Sequence, residues 1–256
     1  AFLASGSVSV PRITRLPAAR PALPEVRSAP GAVQQRAVEQ FGRLPLHFEP
    51  NVGQTDPVVR FIARAGARTM FLTSEEAVIV LSRPAKPVAA PAPGRADSPL
   101  VEEAVVRMRL EGANREAAVR GLDRLAGVSA YFLGNDPAGW RPEVPHYARV
   151  EYKQVYPGVD LVYYGNQGKI EYDFVVAPGA DPGQIRLAFQ GADRVEVDAS
   201  GDLVLATRLG ELRQHRPRVF QQAGGRRVEV AARYRLEGRT ASVALAAYNR
   251  ALPLVI

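Results

Sequence analysis

At 256 residues, 46% of them hydrophobic, the chain is long enough to bury one large β domain or two small ones, which excludes disorder of the whole. Its formal charge of +7 comes from 33 basic residues that are nearly all arginine and form no Lys/Arg block, a scatter that reflects composition bias rather than a nucleic-acid surface. With no cysteine, disulfides, thiol catalysis and thiolate metal centres are excluded, and no run reaches the ~20 apolar residues that a membrane-spanning helix needs.

The chain opens on AFLASGSVSVP, small and apolar, as expected after removal of a signal peptide. Residues 1–30 then carry Pro11, Pro17, Pro21, Pro24 and Pro30 and read as an extended arm. Within it Val8 and Val10 alternate with small residues, the pattern of a strand that can add to an open sheet edge on another copy. The remainder, 31–256, reads as one β-rich domain, with room for two subdomains. It begins with a short helix over 31–44, where Val33, Val38 and Phe41 lie near one face and Gly42 can end the element. LPLHFEPNVGQTDP reads as a loop from its Pro, Asn and Gly content.

Period-2 alternation then takes over. VVRFIAR, TMFLT, AVIVLS and AVVRMRLEG are strand candidates, and a Pro/Ala-rich insert at 83–99 separates the last two. The second half is denser in strands, with turn signals at Gly165 to Gly168, Ser200-Gly201, Gly224-Gly225 and Gly238. Half-buried strands must cover their apolar faces, so the expected fold is mainly β: an antiparallel β-sandwich or two packed twisted sheets, with the one short N-terminal helix. LPLVI at 252–256 reads as a short strand that offers an acceptor edge.

Two places concentrate chemistry. In YPGVDLVYYGNQGKIEYDFVVAPGADP, a turn at Asn166-Gln167 pairs Asp160 with Asp173 and Val162 with Glu171, so three carboxylates share one face. Opposed like charges need compensation. A calcium-like cation on Asp160, Glu171 and Asp173 would supply it; two of the carboxylates could act as acid and base on a glycoside; or neighbouring arginines could neutralise the face, the reading preferred here. The second place is the loop GNDPAGWRPEVPHYARV. It sets Trp140 beside Asn135, Asp136 and Arg141, which is either a stacking platform for a sugar ring or, by preference, a plug at the end of the core. His47, His146 and His215 lie far apart with no paired spacing, so no histidine metal site is expected. Ser74 and Ser129 lack a nucleophile-elbow context, and Glu49 and Gln54 suit either structural bonds or ligand contacts. No catalytic residue is assigned.

The words FEPNVGQTD, FLTSEEAVIVL, VRMRLEGAN, YFLGNDPAGWRPEVPHYARVEYKQVYPGVDLVYYGN and EYDFVVAPGADPGQIRLAFQGAD resemble a domain of unknown function from secreted bacterial proteins, where it commonly precedes SBBP-type β-propeller repeats. The resemblance covers roughly residues 42–256. It implies a β-rich fold and an extracellular or cell-surface setting, and it implies no reaction. The chain departs from the usual layout in its insert at 83–99 and in ending at LPLVI without repeats. The expected function is therefore a non-catalytic module for adhesion or assembly, binding other copies of itself or surface polysaccharide or protein. The alternative is a carbohydrate-binding or glycoside-cleaving domain. An insert this rich in proline and alanine cannot supply a buried apolar face, so replacing 83–99 with a short Gly-Ser bridge should preserve cooperative unfolding. Aggregation or non-cooperative melting of that variant would place the insert in the core.

Overall fold

The computed structural model describes residues 46–85 and 101–256. The arm at 1–30 with Val8 and Val10, the helix expected at 31–44 and most of the insert lie outside these residues.

Eighteen strands make up the described fold. The first five are β1 (Phe48–Pro50), β2 (Phe61–Ala65), β3 (Arg68–Leu72), β4 (Glu76–Pro84) and β5 (Val101–Leu110). Two long strands follow, β6 (Ala118–Tyr131) and β7 (Arg141–Tyr156), then β8 (Val159–Asn166), β9 (Lys169–Val176) and β10 (Leu187–Gln190). Next come β11 (Arg194–Val197), β12 (Leu203–Thr207) and β13 (Gly210–Gln214), then β14 (Val219–Ala223), β15 (Arg226–Val230), β16 (Ala232–Glu237), β17 (Thr240–Leu245) and β18 (Leu254–Val255). Among the described residues, helix is limited to two 3-10 turns, Pro137–Gly139 and Pro182–Gln184.

The fold is mainly β, as expected, but its strands do not divide into two packed layers of similar size. Fifteen form one antiparallel sheet in the order β15-β14-β18-β9-β8-β7-β1-β2-β3-β4-β5-β10-β17-β16, with β6 added on β7, and they curl into a nearly closed barrel. The end strands β15 and β16 are consecutive in sequence, joined through Ala231. Curling lets one apolar face serve as the whole interior, which relieves the sheet of a second layer. β11, β12 and β13 form a separate small sheet, and its Leu203, Leu205 and Leu212 join the same buried cluster as Phe48, Met108, Leu161 and Phe189. Tyrosines fill much of that interior. Tyr152 and Tyr163 meet edge to face at 5.9 Å, Tyr163 continues to Tyr172, and the buried Tyr152 hydroxyl donates to the Thr73 carbonyl at 2.7 Å.

Three local expectations change. Arg83 and Pro84 belong to β4, where they face Glu102 and Val101, so the insert as read from the sequence begins inside a paired strand. β18 is flanked by β14 and β9 and offers no acceptor edge; LPLVI is an interior strand. The β8–β9 turn lies at Gln167-Gly168, both with positive φ, rather than at Asn166-Gln167. Asn166 therefore pairs with Lys169, and the register moves by two residues. An even shift keeps every side chain on its expected face, so Leu161, Tyr163 and Phe174 remain core.

At the end of β10 the chain passes so close to β5 that only glycine fits. Gly191 has φ +82°, and a Cβ there would sit 2.0 Å from the Val105 carbonyl oxygen. Gly238, in the β16–β17 turn, has φ +62° with nothing within 4 Å. Gly238→Ala should cost about 1 kcal/mol through backbone strain alone, and Gly191→Ala about 2 kcal/mol or more because β5 must also shift. Denaturant midpoints measure both, and equal losses would contradict the close approach.

Candidate functional site

Where β1 meets β2, β6 and β7, four strands turn polar side chains onto one carboxylate. Phe48 on β1 pairs with Tyr147 on β7, and the alternation of a strand then puts His47 and Glu49 together on the opposite face, with His146 beside them. Glu49 also pairs with Ile62 on β2, which places Arg64, one pleat further on, over the same face. β6 contributes Ser129 and Tyr131 from its last turn of pleat, beyond an irregularity in its pairing with β7.

Glu49 is 3% exposed, and a carboxylate so buried costs several kcal/mol unless its oxygens are satisfied. They are satisfied by separate groups. Oε2 accepts from Arg64 at 3.0 Å and from the Tyr131 hydroxyl. Oε1 accepts from Ser129 Oγ at 2.6 Å and lies 3.3 Å from His47 Nε2 and 3.7 Å from His146 Nε2. Ser129 Oγ is also 2.8 Å from His146 Nε2, and the two imidazoles stack at 3.7 Å with 16° between their planes. Burial pushes the Glu49 carboxyl up, but the hydrogen bonds from His47, Ser129 and Tyr131 and the Arg64 charge outweigh it and bring the pKa to about 2. Tyr131 is pushed up to about 12 by burial and by its bond to Glu49. His146 is held below the ordinary histidine value by burial and by the neighbouring His47, against the pull of Glu49.

Serine, histidine and glutamate together suggest a nucleophile triad, but the geometry differs. In such a triad the acid holds the imidazole nitrogen remote from serine. Here Glu49 accepts the serine hydroxyl's hydrogen bond directly and approaches the same Nε2 that Ser129 meets. The hydroxyl is stabilised as a donor and is not prepared for attack.

An apolar platform adjoins this cluster. The loop after β6 is shaped by Asp136, whose carboxylate accepts from Ala138 N at 3.0 Å and caps the Pro137–Gly139 turn. Arg141 fastens the loop down: its Nε donates to the Val52 carbonyl at 2.7 Å, and its Nη1 donates to the Ala138 and Trp140 carbonyls. Val52 stands in the turn after Glu49, a turn closed by Asn51 through its bonds to the Asp56 and Val59 carbonyls. Trp140 is not the core plug that was the preferred expectation. It is 38% exposed, its Nε1 donates to the Gly134 carbonyl at 3.2 Å, and its ring meets Phe132, 58% exposed, edge to face at 5.3 Å. Asn135 is exposed on the same loop.

Residues 48–256 match the model of a family described as Domain of unknown function (DUF7948). The chain belongs to this family. No curated protein and no solved structure matches it. The DUF7948 match opens at Phe48, the first residue of β1, so it takes in all eighteen strands, the Glu49 carboxylate and the Trp140 loop.

The acidic trio of the DUF7948 domain is placed differently from expectation. Asp160, Glu171 and Asp173 do share a face, but the shifted register sets them opposite Val175, Tyr164 and Val162, so no two carboxylates oppose one another. Asp160 accepts from Lys153 Nζ at 2.5 Å and from Gln154 N at 2.8 Å, closing a bulge in β7 where Gln154 has φ +49°. Glu171 accepts from Asn166 at 3.1 Å and Asp173 from the Tyr164 hydroxyl at 2.9 Å. Thus a lysine neutralises Asp160, while an amide and a phenol hydrogen-bond Glu171 and Asp173, where arginines were expected; Arg227 contributes only through its charge near Asp173, whose pKa burial raises. Of the three histidines whose wide spacing argues against a shared metal site, the fold brings two together, stacking His47 on His146. The alternation of His47 and Glu49 about Phe48 is the available signal, hidden because β1 has only three residues, too few to reveal a strand by periodicity.

The Glu49 carboxyl titrates near 2 when folded against an ordinary 4.5, so its contribution is complete above pH 4.5 and is lost as the pH falls toward 2. That difference corresponds to about 3 kcal/mol. Glu49→Gln should destabilise the domain by about 1–3 kcal/mol at pH 7 and flatten the fall in stability between pH 4.5 and 2. Unfolding free energies measured across that range check both effects, and an unchanged acid limb would contradict the assignment.

Proposed function

We propose that the chain is a non-catalytic β-rich module for adhesion or assembly at the bacterial surface, and that it makes contact through the Trp140–Phe132 platform. The observation that carries this reading is an exposed aromatic pair held on a rigid loop, with exposed Val52 on the adjoining turn. Contiguous apolar surface of this kind marks interaction sites, and aromatic residues dominate the energetics of such contacts. Arg141 and the cap at Asp136 order the loop before any partner arrives, which lowers the entropy lost on binding.

Binding of surface carbohydrate by stacking on Trp140 is the second reading, favoured by the flat, exposed ring and by Asn135 beside it. Two of the polar neighbours that would recognise sugar hydroxyls, Asp136 and Arg141, are already occupied by backbone groups of the loop. Their engagement favours an apolar protein contact over a sugar. Secretion, suggested by the family resemblance, is part of the proposal. So is self-assembly through the arm around Val8 and Val10.

Sedimentation with purified bacterial envelopes tests the platform: Trp140→Ala and Phe132→Ala should each weaken binding about tenfold or more at unchanged thermal stability. Retention at wild-type levels would overturn the reading. Emission from the single tryptophan separates the carbohydrate reading, because titration with surface polysaccharide alone should leave it unshifted if the partner is protein. Light scattering of the intact chain and of one starting at Gly31 reads the self-assembly branch, and identical monomeric masses would remove it.

A further inference from the structure

We infer that His47, Glu49 and His146 form a binding site for a divalent transition metal of the zinc class. Their ligand atoms all lie within 4.8 Å of one another; Glu49 and His146 stand on the paired strands β1 and β7, and His47 immediately precedes β1. A tetrahedral cation with bonds of about 2.0–2.2 Å separates its donors by roughly 3.3–3.5 Å. His47 Nε2 and His146 Nε2 lie 3.3 and 3.7 Å from Glu49 Oε1, and Ser129 Oγ lies 2.6 Å from that same oxygen. Two of the three donor pairs therefore stand near tetrahedral separations and the third lies within 4.8 Å, with the serine hydroxyl or a water for the fourth position.

The arrangement around the carboxylate is that of a supported ligand. Arg64 and Tyr131 hold Oε2 and so orient the group, leaving Oε1 turned to the histidines. Two imidazoles and a single carboxylate oxygen suit zinc, nickel, copper or iron(II). Calcium and magnesium require oxygen donors, and the Arg64 guanidinium offsets the one negative charge here.

Binding asks for two adjustments. The stacked rings must fan apart so that each Nε2 lone pair points at a shared cation, and His47, with its side chain 29% exposed, is the less buried of the two. His146 must carry its proton on Nδ1. That edge of the ring faces Gly127, where a Cβ would lie 2.9 Å from Nδ1, so glycine leaves the space the ring needs.

Cobalt(II) and zinc added to the tag-free, chelator-treated full chain test the inference. One equivalent of Co²⁺ should produce visible d–d absorption that Zn²⁺ abolishes. His47→Ala and His146→Ala should each lower the affinity more than about tenfold, while His215→Ala, which removes a surface partner of Asp202, should leave it unchanged. Should either variant fold poorly, the wild-type chain still decides the matter. Zinc should protect His47 and His146, but not His215, from carbethoxylation mapped by mass spectrometry. No cobalt signal from the wild-type chain, equal protection of all three histidines, or undiminished affinity in both folded variants would overturn the site.

Discussion

A single buried carboxylate organises this end of the molecule. Glu49 stands on a three-residue strand that is too short to hold its place by ladder hydrogen bonds alone, yet β1 joins β2 to β7 and so connects the two halves of the curled sheet. Arg64 on β2, Ser129 and Tyr131 on β6, and the stacked histidines all converge on it. Because an unsatisfied buried charge is so costly, these partners keep their strands in register, and any slip of one residue would turn Glu49 into the core and Phe48 outward. The turn that follows Glu49 supplies Val52, to which Arg141 clamps the aromatic loop. Charge burial and platform are thus mechanically continuous.

Much of the fold was legible in the sequence, because period-2 alternation and glycine turns are local signals. β2 to β5 fall within a few residues of their expected limits. The misreadings have physical causes. β6, AVRGLDRLAGVSAY, is a fourteen-residue strand that alternation does not reveal, since it lies on the outside of β7, is mostly exposed and is interrupted by a bulge with Asp123 at φ +55°. β1 reads as a loop in the sequence because its flanks are rich in proline, asparagine and glycine. Closure of the sheet depends on long-range pairing, such as β10 with β5, which no local pattern encodes.

The candidate site was less legible for the same reason. Glu49 and the group Trp140, Asn135, Asp136 and Arg141 stand out in the sequence, and the four residues of the group share one stretch of chain after β6. What the sequence could not indicate is that Asp136 and Arg141 bind their own backbone and that His146 lies 99 positions from a stacked partner. Asp160 shows the reverse case. It looked like chemistry in an acidic cluster and proves to close a bulge, because a left-handed residue at Gln154 leaves an amide that needs an acceptor.

The most direct test of the Glu49 account is amide hydrogen exchange on the wild-type chain and on Tyr131→Phe, which removes one donor to Oε2 without removing the ring. If Glu49 holds the platform, exchange should accelerate in residues 51–56 and 132–141 while the β16–β17 hairpin remains as protected as in the wild type. Unchanged protection in both segments, or a uniform loss across the whole sheet, would contradict it.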